Sequence, residues 1–497
     1  MSAIKELKEY FAEIMRLHYV SSLLNWDQEV NMQNYKSLEG RSKQVSLIQK
    51  LIHQRETSDK VGKLITQAEK QDLNKIDSAM LREIKREYTL ATKLPEKLVM
   101  EIAETSILAS KDWREAREKS DFSIFEKILE KTVELQKERA ERLETHPDLY
   151  STLIDLYEPG ATYDWIANVF SPIKPKIIDF VKKLNDSSDK PDDSILMKNY
   201  DINKQFELSF EIIKKLNYDL NYGRQDKTTH PFTTSLASED VRITTRTKED
   251  YINECIFGTI HECGHALYEM GIKKELHDTI LCNGTSMGIH ESQSRLYENM
   301  VGRSKEFWMY WYSTFQRYFP EILKDYPIEE FYRAINIVQP SLIRVNADEV
   351  TYGLHVILRF EIEKDLIEGK IQVKELPEIW NAKFEEFLGI IPPNDALGVL
   401  QDMHWSGGAI GYFPTYFLGS LYAAQFYHKA LMEHPNLPED YKKGEFSNLL
   451  IYLRKNIHQH GSVYRANELI RRVTGEDLNP DYFFKYIEQK FIPIYRM

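Results

Sequence analysis

Apolar positions recur at helical spacing along most of the chain. Between Phe122 and Leu143 they fall on Phe122, Phe125, Leu129, Val133, Ala140 and Leu143, with Glu, Lys and Arg between them. That recurrence is the signature of a helix with one face on a core. The same period predicts helices at Ile4–Leu24, Leu81–Leu94, Trp165–Leu184, Phe206–Leu216, Ile328–Val338 and Val350–Ile367, and their charged faces read as solvated surface. One stretch breaks the pattern: Val241-Arg242-Ile243-Thr244-Thr245 alternates with period two and is rich in β-branched residues, so it predicts a short strand. No Gly/Ser or Pro-rich linker, low-complexity tract or internal repeat divides the chain, and Asn185–Asp193 reads as a surface connection. The expectation is a mainly α fold, a single helical domain over residues 1–497, with a small β element.

That strand immediately precedes Tyr251–Gly271, a further helical run that carries His261-Glu262-Cys263-Gly264-His265. On a helix, positions i and i+4 lie one turn apart on the same face, so the two imidazoles can reach one cation. Two neutral imidazoles plus a carboxylate suit Zn²⁺. Glu262 beside them has the placement of the general base in an H-E-x-x-H hydrolase. With 14 His in 497 residues, chance supplies roughly 0.03 such motifs per chain, so the motif carries weight. Gly271 is a plausible C′ stop for this helix.

A catalytic zinc site takes three protein ligands and keeps one open position. Tyr268 stands where a metzincin extension needs Gly, so the third ligand lies elsewhere. Gly288–Glu298 reads as a second helix after the loop Cys282-Asn283-Gly284-Thr285, with Glu291 26 residues beyond His265. His290 is the rival ligand; the two point about 100° apart, so only one of them can face the metal. The helix geometry favours Glu291. Glu298, at i+7, shares its face and is placed to orient a histidine ligand.

Composition narrows the setting. A balance of 65 basic and 77 acidic residues, net −12, argues against nucleic acid as a main partner. Cys255, Cys263 and Cys282 are too few for a disulfide framework and fit a reducing compartment. The first twenty residues lack the apolar run of a secretory signal, and the longest uncharged run, Ser406–Tyr427, mixes Gly, Pro, Thr, Gln and Tyr, reading as buried or cleft-lining protein rather than a membrane span. A soluble, cytoplasmic protein is expected. His230-Pro231-Phe232 precedes the strand. Arg344 comes four residues before Asp348, a spacing that pairs them on a helix face. Gln401–Trp405 leads into the glycine-rich Ser406–Gly411. For peptide hydrolysis, His404 or Tyr412 could donate to the oxyanion, and an arginine fork suits a free C-terminal carboxylate.

These motifs carry a resemblance. Trp26-Asp27-Gln28-Glu29, His230-Pro231-Phe232, Asp240–Thr244, His261–His265, His290–Gln293, Ile343–Asp348, Gly398–Trp405, His458–Gly461 and Gly475–Pro480 together resemble the carboxypeptidase Taq family over nearly the whole chain. The resemblance implies a mainly helical enzyme with a deep cleft that removes single residues from peptide C-termini. It implies zinc, with cobalt also supporting activity, held by His261, His265 and Glu291, with Glu262 as base and acid. It implies His230, Arg344, His404 and Tyr412 lining the substrate site, with Arg344 the preferred carboxylate binder, and a homodimer. One departure is Val30-Asn31-Met32-Gln33, where the family more often has Thr and Pro. Two other readings compete: an oligopeptidase cutting internal bonds, and a non-catalytic helical metal-binding protein.

Overall fold

In the computed structural model, which describes residues 2–32 and 35–497, helices occupy most of the periodic stretches: Ala3–Asn31, Lys75–Lys93, Ser123–Leu143, Tyr163–Asn185, Ile202–Lys215 and Tyr352–Ile367. Gln33 of the departing segment lies outside the described residues. Several helices start where a short polar side chain takes an orphan N–H: Asn74 from Asp77, Thr162 from Trp165, Asp201 from Asn203 and Lys204. One prediction runs long. The helix expected to Val338 stops at Ala334, because the Tyr495 hydroxyl bonds both the N–H and the carbonyl of Val338, at 2.8 and 2.9 Å, and Gln339 precedes Pro340.

Burial follows the stripes. The larger apolar cluster gathers Phe125, Leu129, Phe170, Ile260, Leu296, Leu358, Phe417 and many others. A smaller one joins Leu7, Phe11 and Ile14 of the first helix to Leu64, Ile65 and Ile84, and reaches Leu276, Leu281 and Val463. Arg82 ties this N-terminal layer to the later chain by donating to the carbonyls of Ser462 and Val463 at 3.0 and 3.2 Å.

The predicted strand is the centre of a three-stranded sheet. β1 (Gln225–Lys227), β2 (Thr233–Ala237) and β3 (Asp240–Thr245) lie in the order β1-β3-β2, with β3 parallel to β1 and antiparallel to β2. Arg224 and Arg242 lie within 5.3 and 4.3 Å of the Trp26 ring centre, so two of the recognised motifs meet in a cation–π contact that seats the first helix on the sheet.

Three helices meet beneath the H-E-x-x-H segment. The metal-motif helix is Ile252–Glu269. Gly271 follows its cap, as expected, but without a left-handed φ; a Cβ there would lie 2.5 Å from the His458 side chain, so packing demands the glycine. The second helix is Met287–Arg295, continued by a π turn over Leu296–Gly302, a feature common at functional sites. The third is Pro414–Glu433. A Cβ on Gly264 would sit 2.6 Å from the Gln293 carbonyl, and one on Gly419 2.5 Å from Glu291 Cγ. The absence of side chains at these two points lets the helices close to contact.

Candidate active site

Helical spacing does for His261 and His265 what the sequence predicts: their ring centres are 4.9 Å apart. Both Nε2 atoms turn toward one oxygen, Glu291 Oε2, at 3.6 and 3.4 Å. One donor atom from each of the three residues lies within 4.8 Å of the other two, an arrangement that can hold a metal. The opposite nitrogens are engaged. His261 Nδ1 donates to Glu298 Oε2 at 2.9 Å. His265 Nδ1 lies 2.6 Å from His290 Nδ1, and His290 Nε2 donates to Glu269 Oε1 at 2.7 Å. So Glu291 faces the histidines, Glu298 stands behind one of them, and His290 turns away from the donor set.

Charge is balanced locally. Burial favours a neutral Glu291, but Arg295, whose Nε donates to it at 2.7 Å, and the two imidazoles outweigh that and hold its carboxyl well below the usual range. Glu298 is treated likewise by Arg295, His261 and Arg303. Burial pushes His265 down to about 3, which keeps it neutral. For His261, burial is outweighed by the charge of Glu291 and the bond to Glu298, and its pKa rises.

Glu262 is 7% exposed and its carboxyl is raised by burial. Its side-chain partner is Thr233, whose hydroxyl lies 2.7 Å from Glu262 Oε2 and 2.9 Å from the Glu262 carbonyl. Strand register brings Thr233 there. Thr244 N–H donates to the Phe232 carbonyl at 2.9 Å, and antiparallel pairs alternate, so Thr234 bonds β3 while Thr233 and Ser235 turn their backbone groups to the free edge of β2. The N–H groups of Val241 and Ile243 confirm the parity by bonding Tyr222 and Arg224 on the other side.

The four residues expected to line the substrate site fare differently. His404 and Tyr412 come together: their rings are 5.6 Å apart, His404 Nε2 lies 3.2 Å from the Tyr416 hydroxyl, and Tyr412 packs edge-on to Tyr416. Burial lowers His404 to about 4 and raises Tyr412, to which the charge of Glu291 adds. Arg344 is not paired with Asp348 on a helix. It sits on one 3₁₀ turn and gives Nε and Nη2 to Asp402 Oδ1, at 3.0 and 2.8 Å. Asp348 instead accepts N–H groups from Gln339, Val350 and Thr351. His230 is exposed in the β1–β2 connection, its carbonyl accepting from Thr228 at 2.9 Å; no hydrogen bond or ion pair among the described residues joins it to the metal donors.

Several groups outside the expected set also shape the site. Arg295 stands i+4 from Glu291, and Glu269 stands i+4 from His265; both spacings were visible. Thr233 and Gly419 left no local signal.

The family's sequence profile, described as carboxypeptidase Taq (M32) metallopeptidase, matches residues 6–491. The chain belongs to that family. It is 41% identical to carboxypeptidase 1 of Bacillus subtilis, covering 98% of both chains, and 39% identical to thermostable carboxypeptidase 1 of Thermus thermophilus, covering 99% of both. The fold matches the crystal structure of the M32 carboxypeptidase from Deinococcus radiodurans with a TM-score of 0.97 at 36% identity, covering 100% of both chains. A structure of the Pyrococcus furiosus carboxypeptidase gives 0.96, also at 36% identity, over 99% of both. The M32 chain is thus a metal-dependent carboxypeptidase, and its mainly helical fold with a small sheet is that of the family. Among the described residues no helix is long and apolar enough to cross a membrane.

Proposed function

We propose that this carboxypeptidase holds zinc, or cobalt in its place, through His261 Nε2, His265 Nε2 and Glu291 Oε2, and releases single residues from peptide C-termini with Glu262 as base and acid. The observation that carries the ligand assignment is the convergence of these atoms while both Nδ1 atoms are occupied. Bonds of about 2.0–2.1 Å at tetrahedral angles put neighbouring ligand atoms about 3.3–3.4 Å apart, close to the separations of 3.4 and 3.6 Å.

A zinc ion held by these three residues would supply Lewis-acid polarisation of the scissile carbonyl and a more acidic water. Glu262, steadied by Thr233, takes the proton of the attacking water at its carboxylate and returns it to the leaving amine. The raised pKa of the buried carboxyl suits a group that must both accept and release a proton. His404, neutral because it is buried, or the Tyr412 hydroxyl donates to the oxyanion. The substrate's carboxylate goes to Arg344. Asp402 is shared by Arg344 and Arg359, two cations on one anion, so the cluster keeps a positive excess, and among the described residues the hydrogen-bond partner of Arg344 Nη1 is the Tyr352 hydroxyl at 3.3 Å. The free edge of β2 pairs with the extended peptide through Thr233 and Ser235, with exposed His230 at the approach. The family resemblance extends the proposal to one domain and a homodimer, and three free cysteines fit the reducing cytoplasm.

Mass spectrometry of a free-ended peptide and its amidated twin tests this. The free peptide should lose one residue per cut and the amidated one should stay whole. Internal cuts in both would indicate an oligopeptidase and remove the role of Arg344. Glu262→Gln should keep zinc and lose about 10²–10⁴-fold in turnover; an active Glu262→Gln enzyme would sink the mechanism.

A further inference from the structure

His290 is the neighbour of Glu291, yet its ring is held behind His265. The two ring centres are 4.6 Å apart, with His290 Nδ1 2.6 Å from His265 Nδ1 and His290 Nε2 2.7 Å from Glu269 Oε1. The ring is confined. Tyr268 packs on it with centres 5.3 Å apart, and a Cβ on Gly284 would lie 2.6 Å from its Cδ2.

These contacts order the protons. An ionised carboxylate only accepts, so the His290–Glu269 hydrogen is on His290 Nε2. A neutral imidazole has one N–H, which leaves His290 Nδ1 a bare acceptor. The hydrogen between the two Nδ1 atoms is then on His265, and His265 keeps its lone pair at Nε2, the atom facing Glu291 at 3.4 Å. The opposite order, an imidazolium at 290 donating to His265, would put a hydrogen on Nε2 where the three donors converge, and so prevents ligation.

We infer that Glu269, His290 and His265 form a hydrogen-bonded relay that fixes which nitrogen of His265 faces the metal, making His290 and Glu269 positioning residues rather than ligands. The inference rests on the reading that His265 binds the metal. Glu269 lies one turn beyond His265 on the same helix, and His290 comes from the next helix, so the relay also staples the two. The two histidines are supported differently: His261 leans directly on a carboxylate, His265 on a second imidazole that passes the load to one.

Zinc affinity by chelator competition, on full-length metal-free protein whose folding is checked by denaturation, tests the relay. His290→Phe fills the ring's space without an acceptor and should weaken zinc binding about 10–100-fold. His290→Asn, which restores an acceptor near the Nδ1 position, should stay within about threefold of the original, a recovery expected if the acceptor and not the ring's bulk matters. Glu269→Leu should also weaken binding, and adding it to His290→Phe should cost nothing more, because members of one network are not additive. Nitrogen-15 shifts should show His265 as the Nδ1–H tautomer in the metal-free parent and a mixture in His290→Phe. The relay is overturned if His290→Phe binds zinc as tightly as the parent, if the two losses add, or if the tautomer is unchanged. His265→Ala separates the two readings: it must abolish tight zinc binding, and if it does not, the ligand assignment fails rather than the relay.

Discussion

Replacing Gly264 by alanine should damage the metal site while costing the fold no more than about 2 kcal/mol. A Cβ at this position would be 2.6 Å from the Gln293 carbonyl oxygen and 2.7 Å from Ser294 Cα. Both are backbone atoms of the helix that carries Glu291, so no side chain can swing aside. Reaching ordinary contact near 3.4 Å requires the helices to part by roughly 0.8 Å, and overpacking of this kind costs about 1–3 kcal/mol. Against that, Gly to Ala inside a helix gains about 1 kcal/mol, so the net loss is about 0–2 kcal/mol. A metal site tolerates only about 0.2 Å in its bond lengths, so the same movement carries Glu291 Oε2 out of range of the two histidines. Zinc affinity should fall tenfold or more. Gly258 is the control: it lies on the same helix with nothing within 4 Å of its added Cβ, so Gly258→Ala should stabilise by up to about 1 kcal/mol and leave zinc binding alone. Denaturant unfolding of the metal-free proteins and chelator competition measure the two quantities separately. A Gly264→Ala protein that binds zinc within twofold of the parent would refute the steric argument.

Thr233→Val keeps the shape of the side chain but removes the hydroxyl from Glu262; losing a hydrogen bond to a charged group, about 1.5–3 kcal/mol, should lower kcat about 10–100-fold with KM and zinc content unchanged. Thr233→Ser should recover most of the rate, and a Val variant with parental kcat would dismiss Thr233 as a bystander. Glu158, buried beneath the start of the Glu291 helix where it accepts from Ser286 Oγ and Gly288 N–H at 2.8 and 2.9 Å, is pushed up to about 7 by burial. A carboxyl whose folded pKa exceeds its unfolded one contributes stability below about 4.5 and loses it as pH rises through about 7, a swing of up to about 3 kcal/mol. Glu158→Gln should therefore flatten the fall in melting temperature between pH 5 and 8, and an unaltered slope would mean that Glu158 is ionised throughout.

The sequence by itself determined whatever lies within a turn or two of helix. The pairing of His261 with His265 follows from helical rise, as do the spacing of Glu291 to Glu298 and of Arg295 between them. The long amphipathic helices follow from the period of their apolar residues. The motifs in family order were enough to place the chain among the M32 carboxypeptidases. Tertiary structure decided the rest. Arg344 has an acid four residues away, yet binds Asp402, 58 residues on, because the short 3₁₀ turn never gives the helix face that spacing assumes. Thr233 reaches Glu262 across 29 residues only because β2 pairs with β3 in one register, and strands as short as β1 and β2 carry too few residues to show a period. His290 and Glu291 are neighbours in the chain, but packing with Tyr268 and Gly284 sends one behind His265 and leaves the other among the donors. Local periodicity is written in adjacent residues. Which distant groups then touch depends on how whole elements close over one another, and at Gly264 and Gly419 that closure depends on the absence of a single carbon atom.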